Sequence, residues 1–450
     1  MTEKVKQQHM FSNKMIAGIL IPVVLEQLLN SIMGTADTMM VSNIGSAAIS
    51  AVSLVDSINI LVIQAFSALA AGGAIVCSQY IGQQNKKMAN ESARQVLFII
   101  TAISIAVSVL CLGFKKPLLR LIFGSVEADV MRASETYFFY TAISFPFIAA
   151  YDSAASIFRA QENTKGPMLI SMISNAMNIV GNAIMIWIFH MGVAGAAIST
   201  LVSRIFCAVV VLIQLRKDRQ PIVVRDYLKI CPDWAMIRRI LGIGIPSGVE
   251  NSMFQLGKIL VLSLVSTFGT YAIAANAVSN AIALFQILPG MAISLAITTV
   301  ISQCVGANDY EQVRYYLKKL LAIIYVAMVG TVALIFLALP LILKAYNLSD
   351  QTAAAATNII HFHGISAMII WPLSFALPAA YRAAGDAKAC MYTSIVSMWI
   401  FRIGFSYLVG KYMGLGVFGV WVAMVIDWVV RAICFIIRYF NGKWKHGAIV

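Results

Sequence analysis

The sequence predicts an all-α integral membrane protein: twelve transmembrane helices in two six-helix lobes. Three observations carry this. Of the 450 residues 60% are hydrophobic and only 12% charged, outside the balance of water-soluble domains. Twelve apolar stretches, each able to cross roughly 30 Å of hydrocarbon as a helix, follow one another along the chain. The second half also repeats the first. A closed β-barrel, the other way to span a bilayer, alternates polar and apolar residues, and these long unbroken runs do not.

In order, the spans cover approximately residues 15–42, 47–80, 95–114, 133–157, 168–190 and 193–215 in an N-lobe of residues 1–214. The C-lobe, residues 240–450, holds approximately 240–267, 271–303, 316–344, 357–380, 391–410 and 415–438. Between the lobes, the charged cytoplasmic linker 215–239 reads as a hinge. The opening MTEKVKQQHMFSNKM is polar and basic and leads to no small-residue cleavage site, so the first span is read as retained. Pro22 removes a backbone donor early in the first span and Pro246 does so in the seventh, giving each a place to bend.

The net charge of +14 is explained by its distribution. With the N-terminus placed inside, 23 Lys and Arg lie in inner loops and 6 in outer ones. That positive-inside asymmetry predicts a multi-pass membrane protein with both termini cytoplasmic, and it requires no nucleic-acid partner. The seven cysteines lack metal spacing and read as packing residues. No HExxH, nucleophile elbow or carbonyl filter motif points to an enzyme or a channel.

The repeat is explicit. IPVVLEQ from Ile21 and IPSGVEN from Ile245 align at an offset of 224, which also pairs Glu26 with Glu250, Gly45 with Gly269 and Gly82 with Gly306. FRAQENTKGPM from Phe158 aligns with YRAAGDAKACM from Tyr381 at 223, and GVAG from Gly192 with GVFG from Gly416 at 224. Six spans separate the copies, so both enter the membrane from one side. Parallel repeats of this kind mark secondary transporters that work by alternating access.

An acid near mid-span costs about 2.5–3.5 kcal/mol on insertion scales, so each needs a partner, a proton or a wet cavity. The acids are Glu26, Asp37, Asp56, Asp152, Glu250 and Asp427; the cations are Arg204, Lys258, Arg402 and Arg431. Glu26 and Asp37 share a face of the first helix about three turns apart, with Asn30 and Met33 between them, as on a cavity wall. An ion pair to Arg204 or Lys258 is the structural alternative for these acids. In the fifth span, SNAMNIVGN sets Asn175, Asn178 and Asn182 on one stripe. Amide oxygens beside a carboxylate form a hard-cation site, to which Thr200 of the sixth span adds a hydroxyl. The seventh span keeps Glu250 but has Val261 at the counterpart of Asp37, and its Lys258 calls for an internal carboxylate partner. The HFH at 361–363 reads as a helix end near the interface more readily than as a metal site.

The P-x14-D-T-M-M-V run from Pro22, the two duplicated loops, NIVGN from Asn178 and GVAGAAISTLVSR from Gly192 together resemble the multidrug and toxic compound extrusion (MATE) family along essentially the whole chain. The resemblance implies a two-lobe exporter with a V-shaped central cavity, moving hydrophobic, often cationic small molecules out across the plasma (inner) membrane as a monomer. Its coupling ion is Na+ or H+, and no other cofactor is implied. Asp37 matches the family's first-helix coupling acid, Asn178 its fifth-helix Asn and Thr200 its sixth-helix Thr. Asn182 falls where some members carry a second Asp, so any bound metal is a Na+ at Asp37. The family's further acids, in the seventh and tenth helices, fall on Phe254 or Gln255 and on Trp371. Substrate-cavity candidates are Glu26, Asn30, Met33, Asn175, Glu250, Phe254, Gln255 and Lys258. The alternative is a lipid-linked oligosaccharide flippase of the same superfamily, which a groove lined by Arg402 and Arg431 would mark.

Overall fold

The computed structural model describes residues 9–449, and among them every regular element is helical. The first copy comprises α1 (Asn13–Ser42), α2 (Ser46–Gly82), α3 (Lys86–Gly113), the short α4 (Lys115–Phe123), α5 (Ala128–Ile143), α6 (Phe145–Ala160), α7 (Lys165–Ala183) and α8 (Val193–Leu215). The second comprises α9 (Trp234–Ser266), α10 (Thr270–Gly306), α11 (Tyr310–Ala345), α12 (Asp350–Ile369), α13 (Leu377–Ala383), α14 (Ala387–Ser397) and α15 (Gly416–Asn441). A π-helical turn, Ile184–Ile188, extends α7, and two more, Met398–Gly404 and Ser406–Tyr412, extend α14.

All twelve predicted spans are helical. Among the described residues nine helices are long and apolar enough to cross a membrane, or ten if α12 and the segment to Ala383, bent by 58°, form one span. The other two differ for visible reasons. The fourth span is divided at Ser144 into α5 and α6, and α9 carries Glu250, Asn251, Gln255 and Lys258 along one stretch. The surrounding medium is legible in α11, which buries Leu320, Ile324, Met328 and Val332 while exposing Val326, Leu334, Leu337 and Leu341. A helix apolar on both its inner and outer faces suits lipid on the outside.

The duplication is written into the backbone. Left-handed residues recur at the repeat spacing: Gly45 and Gly269, Gln84 and Asn308, Glu162 and Gly385, His190 and Gly414, Gly192 and Gly416. Helix starts match as well. Asn85 caps α3 by accepting from Met88 N at 3.2 Å, and its counterpart Asp309 caps α11 by accepting from Gln312 N at 3.1 Å.

The chain divides into two compact units, Ile21–Gly248 and, joined, Met1–Leu20 with Val249–Val450. In the first, α2 packs against α3, α5 and α6. There Gly72 lets α2 approach the start of α9 so closely that a Cβ would lie 2.7 Å from Gly244 N. In the second, α10 packs against α11 and α12 around Ala275, Val278, Ile282, Leu339 and Ile360. The connector after α8 is tied to the first unit. Gln95 Nε2 donates to Cys231 O (2.8 Å), Asp233 N donates to Gln95 Oε1 (3.0 Å) and Val223 N to Asn90 Oδ1 (3.0 Å). Ile222 and Val224 are buried beneath it.

Candidate functional site

In the first unit α1, α7 and α8 bring Asp37, Asn178, Asn182 and Thr200 into one hydrogen-bonded chain. Asn182 Nδ2 donates to Asp37 Oδ1, in a short contact, and to Asn178 Oδ1 at 3.3 Å. Asn178 Nδ2 donates to Thr200 Oγ1 at 3.2 Å, and the Thr200 hydroxyl donates to Ala196 O at 3.1 Å. The order follows from helix geometry. Asn178 and Asn182 are one turn apart on α7, and Gly181 between them admits Ser199 of α8 so closely that a Cβ would meet its Oγ at 2.4 Å. Asn182 is fully buried, and its Oδ1 has no hydrogen-bond partner among the described residues. With both its N–H groups committed, Asn182 presents an oxygen beside a half-buried carboxylate, with further oxygens on Asn178 and Thr200. Such a set suits a small hard cation, or a proton on Asp37 itself. Among the described residues no three His, Cys, Asp or Glu are grouped as metal ligands.

The stripe of three asparagines divides. Asn175 Nδ2 donates to Asn30 Oδ1 (2.7 Å), which also accepts from Ser171 Oγ (2.9 Å), so this pair lies apart from the Asp37 chain. Met33 is half-buried between them on α1. Glu26 is buried and accepts from Arg159 Nη2 at 3.1 and 3.3 Å. Glu250 does the same with Arg382 at 2.7 and 2.8 Å. The partners are thus neither Arg204 nor Lys258. They are the arginines of the duplicated loops, a signal available in FRAQ and YRAA, where Arg follows the aromatic residue in both copies.

Sequence reasoning left further in-span charges unplaced. Asp56 accepts from Tyr137 OH (3.1 Å) and Asn59 Nδ2 (3.3 Å), Asp152 accepts from Ser67 Oγ (2.8 Å), and Arg204 Nη1 donates to Ser144 Oγ at 2.6 Å. Asp427 holds Arg431 at 3.0 Å and accepts from Ser397 Oγ at 2.5 Å. The expected carboxylate for Lys258 is absent: no ion pair within 4 Å involves it among the described residues, and its Nζ sits 5.0 Å from the ring centre of Phe254. Arg402 lies 4.8 Å from the same ring, and Gln255 is half-buried one residue on. The HFH does not mark a helix end. It lies inside α12, with His363 Nδ1 2.5 Å from Gln286 Oε1 and its ring edge-on to Trp421 and Trp428.

Comparison with known proteins agrees with this architecture. A Bacillus subtilis (strain 168) protein named "Uncharacterized transporter YisQ" is 28% identical over 434 residues, covering 94% of this chain and 93% of its own. A Thermotoga maritima "Probable multidrug resistance protein NorM" is 24% identical over 446 residues, covering 97% and 94%. A solved structure described as the "outward-facing conformation of a multidrug resistance MATE family transporter of the MOP superfamily" shares the fold, with a TM-score of 0.90 at 21% identity over 96% of each chain. The family model described as MatE matches residues 22–184 and again 246–408. Those two matches are displaced by 224 residues, the offset of the internal repeat itself, and the chain belongs to the MatE family.

Proposed function

We propose that this protein is a secondary transporter that exports hydrophobic, often cationic small molecules across the plasma membrane by antiport against Na+ or H+. The observation that carries the reading is the Asp37–Asn182–Asn178–Thr200 chain with its unpartnered Asn182 oxygen. The names of the multidrug resistance relatives support export of small molecules, and the hydrophobic, often cationic character is what the family resemblance implies.

A carboxylate at this depth is costly when bare, and Asn182 supplies it with only a neutral donor. A bound cation or proton cancels the charge. Asp37 is therefore loaded in one state of the transport cycle and emptied or exchanged in the other, so that ion and cationic substrate compete. Alternating access uses bending of α1, which carries Pro22 inside it. The loop charges support a cytoplasmic location for both termini and the connector. The flippase reading is not favoured, because Arg431, one of its two marker residues, is held by Asp427 and donates to Ser394 O at 3.3 Å.

The test is efflux of a fluorescent lipophilic cation from proteoliposomes under an imposed Na+ or H+ gradient. Wild type is expected to respond to one gradient, which names the ion, and Asp37→Asn to neither. Full gradient-driven efflux by Asp37→Asn would overturn the proposal.

A further inference from the structure

The second unit holds a cavity where the first holds the Asp37 chain, and its polarity is reversed. Its volume is about 330 Å³, at the lower end of small-molecule pockets. Val261, which replaces Asp37 at the 224 offset, and Met424, which replaces Thr200, both line it. Around the fifth span the offset is 223, pairing Ser174 with Ser397 and Gly181 with Gly404. Asn178 and Asn182 then become Phe401 and Phe405, whose rings stack at 5.4 Å. Asp56 becomes Asn280, which also lines the cavity. Every oxygen of the first-copy chain has thus been replaced by an apolar side chain.

Two cations occupy this cavity instead. Lys258 and Arg402 stand where the first copy has Gly34 and Ile179, and both line the wall. Each is drawn to the ring of Phe254, and Arg402 Nη1 is buried without a hydrogen-bond partner among the described residues. Of the acids within this unit's spans, Glu250 is paired with Arg382 and Asp427 with Arg431, and neither lines the cavity. A ring face offsets part of a cation's desolvation but leaves its charge uncancelled. The amide of Asn276 adds to the pattern. The Trp421 indole N–H can only donate, and at 3.0 Å it takes Asn276 Oδ1, so the amide nitrogen of Asn276 is left to donate elsewhere. The wall therefore offers two positive charges, an amide donor and apolar surface, with no carboxylate.

From this arrangement we propose that the second-unit cavity is an anion-binding site. Its ligand is an organic anion bearing a carboxylate, sulfonate or phosphate on a small apolar body. The charged group meets Lys258 and Arg402, and the body lies against Trp421, Val261 and Met424. The site goes beyond the export of cations and depends neither on Asp37 nor on the direction of transport. The same anionic chemistry is offered by a free solute and by an acidic lipid headgroup.

The experiment is equilibrium binding of radiolabelled naphthalene-1-sulfonate to the full chain in phosphatidylcholine nanodiscs. Wild type is expected to bind saturably. Lys258→Gln and Arg402→Gln are each expected to bind at least about tenfold more weakly, the loss of one charge-assisted contact. Asn280→Asp, which restores the first copy's acid, is expected to abolish binding. Thermal midpoints of the variants should equal or exceed that of wild type, since an uncancelled charge has been removed or paired. 1-Naphthylmethylamine, the same body with an ammonium, should not compete. Replacing phosphatidylcholine by phosphatidylglycerol separates the sources: lost binding identifies a lipid headgroup as the resident anion, unchanged binding a free solute. Wild-type binding by the Lys258→Gln/Arg402→Gln double variant, or equal competition by the ammonium probe, would overturn the proposal.

Discussion

Glu26 and Arg159 show what a single residue can and cannot disclose. That an acid at position 26 needs neutralising follows from its setting in an apolar helix. Which cation answers it does not, because helix periodicity fixes a face and says nothing of the neighbour packed on that face. The duplication supplies the missing information: each copy pairs a first-helix Glu with a loop Arg, 133 residues apart in the first and 132 in the second. Removing one partner takes from the other its opposite charge within the apolar interior, at about 3 kcal/mol, whereas removing both is tolerated far better. Glu26→Gln and Arg159→Met are accordingly expected to lower the melting point in detergent, with the double variant recovering most of the loss. Equal and additive losses would show that the pair is not coupled. The Asp37 chain was more legible. Three of its four members share two short motifs, but the parting of Asn175 toward Asn30 depends on the rotation of α7 against α1, which no spacing rule sets.

Among the elements, the connector read as a hinge is tied along its course to the first unit. Neither its charges nor its two prolines announce this: Gln95 of α3 holds two of its backbone groups and two of its apolar residues are buried. A Gln near the polar start of α3 carries no signal for this, since its partners on the connector are main-chain atoms. Gln95→Leu leaves Cys231 O and Asp233 N without that side chain, and we expect a loss of about 2 kcal/mol with faster tryptic cleavage after Arg216, Lys217 or Arg219. Unchanged cleavage would mean that the connector is held by other contacts. The C-terminal end has a similar tie. Trp444 is fully buried between Tyr381 and Tyr439, and the following turn passes so close to Gly385 that a Cβ there would lie 1.8 Å from Gly447 O. Gly385 also has φ +93°. Gly385→Ala is expected to displace this segment, read as increased quenching of Trp444 fluorescence by acrylamide in a variant whose other tryptophans are replaced by Phe.

Across the whole molecule, hydropathy and the repeat made fold class, span order and internal duplication readable from sequence. Two things were not. The breaks at Ser144 and after Ile369 each precede a proline, Pro146 and Pro372, whose signal hydropathy averaging passes over, and the second-unit cavity emerges only when an alignment shifting from 224 to 223 is laid onto side chains packed together. The orientation proposed from loop charge has a direct check in Cys231, which is exposed on the connector. A membrane-impermeant maleimide should label it in inside-out vesicles and not in intact cells, with Cys231→Ser as control. Labelling from outside would reverse the topology.

The recurring left-handed turns have a consequence for how such a chain diversifies. They lie at loops and helix ends, and none of them is Asp37, Lys258 or another residue of either site, so the instructions for shape and those for ligand chemistry occupy separate positions. Once a gene has doubled within one reading frame, the shape-giving positions must be retained twice, while the chemical ones are free to diverge in either copy. One ancestral half can thereby become a pair of specialists, the first acidic and the second basic, without any change in architecture.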